Sequence, residues 1–595
     1  MRALRFCLLL LVALVLAVPA QAQTSPVENT ERRTVEFYGY GRAALQQTTL
    51  GGDLSSSDSL TAPNISDGEF VLDLALNAQP NQATEVQAVL RMRNEFGGFF
   101  GEGAVLEVRE LWARGLIANR FQYRVGDMDM ALTPYTLFLP DAEGTVNMPD
   151  IFRPQRDVVA YEQFYTDNNE RRLQGGTLNF GLAFAQGLET LDVTGFVART
   201  RPTDFTTTPS RFLSGGRVAV ATQPLTDSGL RGQAGFNLSY LWDDLGTGAV
   251  DAGIRNATYT LDFDVTLLDR SNLGLSLVGE TGQARVEQIV DDMTALEEDD
   301  TFLDIGAQVD LKELGLNVQA SFVDVGPDFF NAAAQSRRVD FDRTKSFYNR
   351  VGNSRGLRPA TLFDLTRDVA LYSFTLESSL MDYDPRFSNV LPYGAATPNR
   401  RGARIMADYV VGDDALVAGL ETHILQEIRG QGTTNLKDFL LVRADATVQI
   451  DQFVGWERSV RATLGLQSEN TSRDSDLIEQ TGDRIGAIDL SSTLVELGLA
   501  AEVYPRLELL LGATFRSSDG NEFVPIIENF NDVRDFPSVF TVDDQESLLG
   551  AGFRYAFRDD VFLTVQAQRF GYSDEETTLQ DYSFGQVYVL YSMTF

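Results

Sequence analysis

The 595-residue chain has one cysteine, one histidine and only 19 prolines. The cysteine, Cys7, lies in an apolar amino-terminal run, so the rest of the chain has no disulfide and no thiol chemistry. With no cysteine beyond residue 7 and one histidine, ligands for a structural zinc or haem site are missing, and no metal or cofactor is expected. Lysine occurs only at Lys312, Lys345 and Lys437, so 46 of the 49 basic residues are arginine. The formal charge of −35 argues against a nucleic-acid partner, whose phosphates need a basic surface. The acidity reads either as solubility or as attraction of cations to a pore mouth. No stretch after the amino terminus offers about 18 uninterrupted apolar residues, which excludes a transmembrane helix. Gly-x-Ser-x-Gly, His-Glu-x-x-His, P-loop and dinucleotide signatures are also missing, so no enzyme is expected.

What is present begins with an export signal. Arg2 and Arg5 precede the apolar run Leu8 to Val18, and Ala20-Gln21-Ala22 supplies small residues for cleavage. Residues 1–22 therefore read as a signal peptide and 23–34 as a short periplasmic lead. Removing the two arginines takes the charge from −35 to −37.

From Val35 onward the pattern is alternation. Phe70, Leu72, Leu74 and Leu76 oppose Glu69, Asp73 and Asn77. Tyr259, Leu261, Phe263 and Val265 oppose Thr260, Asp262 and Asp264. Leu549, Ala551, Phe553, Tyr555 and Phe557 oppose small residues and Arg554. Period-two alternation over 10 to 14 residues is what a tilted strand crossing a hydrocarbon layer requires. Tight links are expected at 79–83, 118–120, 185–188, 269–272, 312–314, 412–414, 504–506 and 558–560. Long ones are expected at 50–67, 131–170, 244–256, 283–300, 469–484, 517–546 and 572–582. Residues 368–378 also alternate, but counting them as a spanning strand would reverse every later turn. Treating 326–402 as one loop insertion leaves about 22 strands, within a range of 18–26.

The carboxyl terminus carries the same alternation, with Phe595, Met593, Tyr591 and Val589 on one lipid-compatible face. This ending resembles the closing strand of Gram-negative outer-membrane barrels, which the barrel-assembly machinery reads as a sorting signal. With the signal peptide, the amphipathic strands and the alternating loop lengths, residues 35–595 resemble a porin-like outer-membrane β-barrel. No plug domain is expected before the first strand, which departs from TonB-dependent transporters. The resemblance implies an all-β antiparallel barrel in the cell outer membrane. It also implies contact with membrane lipid and lipopolysaccharide, and passive diffusion of small hydrophilic solutes. The alternatives are a non-conducting surface or assembly protein that binds a partner through its loops, and an outer-membrane hydrolase. A homo-oligomer is open.

Candidate site residues are charged positions expected to face the lumen. Arg91, Arg93, Glu95, Glu107, Arg109 and Arg124 would make a belt of guanidinium–carboxylate contacts. Such a belt either selects permeants by charge or braces the inner wall. The segment around Glu107 carries charges on both parities, so one side must be shielded or lie near an interface. His423 shares a face with Glu421, Leu425 and Glu427 and reads as a polar lumen residue, or as a base. The run Asp291–Asp300 reads as a solvated outer loop or as a divalent-cation cluster without calcium-loop spacing. The insertion 326–402, with Arg337-Arg338 and Pro392-Tyr393-Gly394, could fold into the lumen, cap the mouth or remain external.

Overall fold

The computed structural model describes residues 35–52, 64–96, 104–138, 148–155, 171–203, 205–206, 209–226, 229–245, 252–290, 293–335, 389–430, 432–479, 481–528, 532–574 and 581–595. The expected signal peptide and lead, 368–378 and Arg337-Arg338 lie outside the described residues.

The first strands are β1 (Val35–Gly52), β2 (Asn64–Asn81), β3 (Thr84–Glu95), β4 (Ala104–Ile117), β5 (Phe121–Met130), β6 (Arg171–Ala183), β7 (Leu188–Arg201) and β8 (Ser210–Thr222). Then follow β9 (Arg231–Asp244), β10 (Ala252–Asp269), β11 (Gly274–Val290), β12 (Met293–Leu311), β13 (Leu316–Val325), β14 (Arg400–Val411), β15 (Leu416–Gln426) and β16 (Asp438–Gln449). The last are β17 (Val460–Arg473), β18 (Asp476–Leu477), β19 (Arg484–Ile485), β20 (Ile488–Tyr504), β21 (Leu507–Glu528), β22 (Asp532–Arg558), β23 (Val561–Asp574) and β24 (Tyr582–Thr594). All but the small β18–β19 hairpin form one 22-stranded antiparallel sheet. Pairing of β1 with β24, from Tyr40 opposite Thr594 to Gly52 opposite Tyr582, closes it into a barrel. Closure leaves no unpaired edge, which a sheet in lipid requires.

All eight expected tight links coincide with short strand-to-strand turns, 79–83 overlapping the end of β2 by three residues. At 118–120 the positive φ of Ala118 and Asn119, 52° and 54°, gives the turn geometry that matches strand twist. Two further short connections were not foreseen: 223–230, and 450–459, where a helical turn α1 (Ile450–Val454) closes on Gly455 at φ 69°. Two expected long loops are instead strand. β11 and β12 stay paired as far as Val290 opposite Met293, and β21 and β22 as far as Glu528 opposite Asp532. The acidic run is thus mostly strand from Met293 onward, its charge carried by cross-strand pairs such as Arg285–Glu297 at 2.9 Å. Its first two residues are outside the described set.

The outward face is apolar and ends in aromatics at the short-turn end. Phe37, Phe453, Trp456, Tyr504, Phe557 and Phe595 are all exposed there. Such a girdle marks a bilayer interface. Phe595 lies in this ring, its backbone bonded to Gly39 and neighbouring the 558–560 turn through Thr594. Val587 is half exposed on the same face, whereas Tyr588 and Leu590 are buried inside.

Candidate functional site

The inner wall of β1–β5 carries a ladder of ion pairs. Asp73 on β2 accepts two bonds from Arg91 on β3, at 2.8 and 2.7 Å, and lies 3.8 Å from Arg109 on β4. Glu69 meets Arg42 at 2.5 Å and Arg93 at 3.7 Å. Glu110 takes Arg124 at 3.3 Å and the indole N–H of Trp112 at 2.5 Å. Two guanidinium groups approach the Trp112 ring, Arg124 at 4.8 Å and Arg114 at 5.1 Å from its centroid.

A β-bulge makes this possible. Val89 pairs with Glu110 and Leu90 with Val108, so Arg109 is skipped. Consecutive residues Arg109 and Glu110 are thereby both buried inside, and Leu111 returns to the outer face. This is the physical answer to the mixed charge parity of the segment. Among the expected belt residues, Arg91, Arg93, Arg109 and Arg124 come together. Glu107 sits opposite Arg91 in register but is exposed and forms no ion pair among the described residues, because Asp73 holds the guanidinium. The side chain of Glu95 lies outside the described set. Asp73 and Glu69, the carboxylates of the ladder, were legible only as inward-facing positions, and the cation Arg42 was not singled out.

Two connections enter the barrel and lock together. The segment after β5 places Tyr135 against Phe302, with ring centroids 4.0 Å apart, and its hydroxyl donates to Asp304 at 3.0 Å. Burial, reinforced by the Asp304 charge, holds that phenol well above its ordinary pKa. Thr133 donates to Glu280 at 2.6 Å. The fully buried Asn331, near the start of the insertion, donates to the carbonyls of Tyr135 and Thr136 at 2.7 and 2.9 Å. Asn256 on the β10 wall bonds Phe330 and Ala332 on either side. Phe330, Ala332, Ala333 and Tyr393 then pack with Phe196, Leu213, Leu241, Ile254 and Val286 from the inner wall. The far end of the insertion is held by Arg400, which stacks 3.7 Å over Phe439 and donates to Val390 O. Both described ends of the insertion, 326–335 and 389–399, therefore lie inside the wall; 336–388 are outside the described residues.

Residues 148–155, from the same connection as Tyr135, dock on the opposite wall. Three glycines stand in register there, Gly498 opposite Gly512 and Gly512 opposite Gly550. A β-carbon on Gly498 would lie 3.1 Å from Pro149 Cα, and one on Gly550 would lie 2.7 Å from Phe152 Cε1. The row continues into Gln568 and Gln586, both bonded to Gln155, at 3.1 and 2.8 Å. Asp150 anchors the other end through Arg461 at 2.5 Å. Glycines inside strands signal close backbone approach, the one sequence cue to this groove.

The lumen of the barrel thus holds polar ladders and inserted chain, inside a wall whose outer face is apolar. The chain has the fold of an outer-membrane β-barrel. It is similar over 94% of its length to three solved structures. One is the ferric citrate transporter FecA in its unliganded form, at 11% identity, 78% coverage of that chain and a TM-score of 0.46. Another is OpdQ of Pseudomonas aeruginosa, at 10%, 98% and 0.32. The third is the outer-membrane channel DcaP of Acinetobacter baumannii, at 9%, 97% and 0.27. The likeness is one of fold. No protein-family model and no curated protein matches the sequence.

His423, in this barrel, is buried on the inner wall with Nε2 2.6 Å from Glu421, which also meets Arg443 at 3.3 Å. No serine, threonine or cysteine bonds to the imidazole among the described residues, so a nucleophile–base pair is not formed there. The arrangement is a hydrogen-bonded cluster of His423, Glu421 and Arg443 in the wall.

Proposed function

We propose that the protein is a passive channel for small hydrophilic solutes, narrowed by chain folded into its own lumen. The observation that carries this reading is the docking of one connection on two opposite walls. Residues 131–138 lie against β10–β12, and residues 148–155 lie against β17–β24. A barrel of 22 strands is wide enough that passage must be restricted from within. The ladder of Arg42, Arg91, Arg93, Arg109 and Arg124 with Glu69, Asp73 and Glu110 supplies charges that weigh permeants by sign. Incorporation of the refolded protein into planar bilayers tests this: discrete open-channel steps support it, and silence from heat-modifiable, folded protein overturns it.

A second reading, a non-conducting barrel that binds a partner through its loops, draws on the apolar clusters around Phe330 and Phe329 inside the wall. It would follow from that silence.

A further inference from the structure

On the lipid-facing side of β22, β23 and β24 the outward residues change character along one row. Below it stand Leu549, Ala551 and Phe553 on β22, Val565 and Ala567 on β23, and Val587 and Val589 on β24. Above it stand Gln545, Ser547, Gly571, Ser573 and Ser583. At the change itself, Arg569 is flanked in register by Leu549 and Gly585. Arg569 is eight residues beyond Val561, about 26 Å along the strand. With the usual strand tilt that is about 20 Å of height, in an apolar band about 25 Å tall. The arginine therefore stands at the outer edge of the hydrocarbon layer.

Its electrostatics differ from those of several outward arginines, which carry their own carboxylates, Arg401 with Asp324 at 2.8 Å and Arg285 with Glu297 at 2.9 Å. Arg199 on β7 is the comparable case, exposed and without an ion pair among the described residues. The side chain of Arg569 is exposed and makes no ion pair or hydrogen bond among the described residues. Beside it lies a groove of about 820 Å³, lined below by Val495 and Phe515 and above by Ser547, Ser573 and Ser583. A β-carbon on Gly585 would meet open space, so the approach to the guanidinium is clear. An unpaired cation at a hydrocarbon edge is stable when the bilayer supplies the counter-charge.

We propose that this groove seats one phosphorylated lipid of the outer leaflet. Its phosphate lies on Arg569, its hydroxylated headgroup on the serines, and an acyl chain runs down past Phe515 and Leu549. The guanidinium fork matches a phosphate in two places.

Native mass spectrometry of the full refolded chain with lipid A, and with lipid A stripped of its phosphates, tests the assignment. The expected result is one retained lipid A per barrel and about tenfold less retention for Arg569→Gln, with the stripped lipid held no better by either protein. Gly585→Phe, which puts a ring beside Arg569 and leaves the charge in place, should lower retention to the same extent. Equal retention by all three proteins, or equal retention of the stripped lipid, overturns the proposal. Heat-modifiable migration of each variant shows that its barrel has closed.

Discussion

Phe152 lies where a β-carbon on Gly550 would stand, 2.7 Å from that position at Cε1. The glycine is therefore a seat, and the segment 148–155 is held by shape as much as by charge.

Replacing that glycine tests the seat. Gly550→Val should push Phe152 out of its groove while the outward face of β22 stays unchanged. Overpacking of this kind costs about 1–3 kcal/mol. The refolded variant is expected to unfold at lower urea and to show larger or noisier conductance steps than the native chain. Unchanged conductance would mean that 148–155 does not narrow the path.

Asp73 is the hub of the inner-wall ladder, and its loss should be felt more than that of any other belt residue. Asp73→Ala removes the partner of buried Arg91 and leaves Arg109 without its nearby carboxylate. Removing one member of a buried pair costs about 3–5 kcal/mol. Glu107→Gln, at an exposed residue with no ion pair, should shift the same unfolding curve by less than about 0.5 kcal/mol. Comparable losses for the two variants would contradict the pairing described above.

Asn331 joins two inserted segments through two carbonyls, and its side chain is fully buried. Asn331→Leu keeps the volume but leaves both carbonyls without this donor, a loss of about 1–3 kcal/mol for each group left unsatisfied. Limited proteolysis should then cut within 131–138 or 326–335 while the strands remain protected. A protected pattern identical to the native one would show that the apolar cluster alone holds the segments.

The loop end offers a pH test. Asp476 on β18 accepts backbone N–H bonds from Asn435 and Leu477 and a hydroxyl from Thr434, and these pull its pKa down to about 2. A depressed carboxylate stabilises the folded state above its unfolded value, and that contribution is lost as the pH falls towards 2. Amide exchange at Asn435 should thus stay slow at pH 5 and quicken, beyond the intrinsic pH effect, between about pH 4 and pH 2. Asp476→Asn should remove that dependence.

Alternation, read together with the order of short and long links, determined the all-β barrel, the count of about 22 and the eight named turns, because a strand in lipid must put apolar side chains outward at every second position. Where alternation persisted beyond the membrane, as in β11–β12 and β21–β22, the same cue hid strand under an expected loop. The acidic composition of Asp291–Asp300 looked like solvated chain but is mostly strand. Charges on both parities at Arg109 and Glu110 announced an irregularity, and only the bulge decided that both point inward. The partners of Arg91 and the seat of Phe152 lay beyond any local pattern. They depend on which strands become neighbours and on which wall a connection reaches, and those contacts join residues as far apart as Gln155 and Gln586.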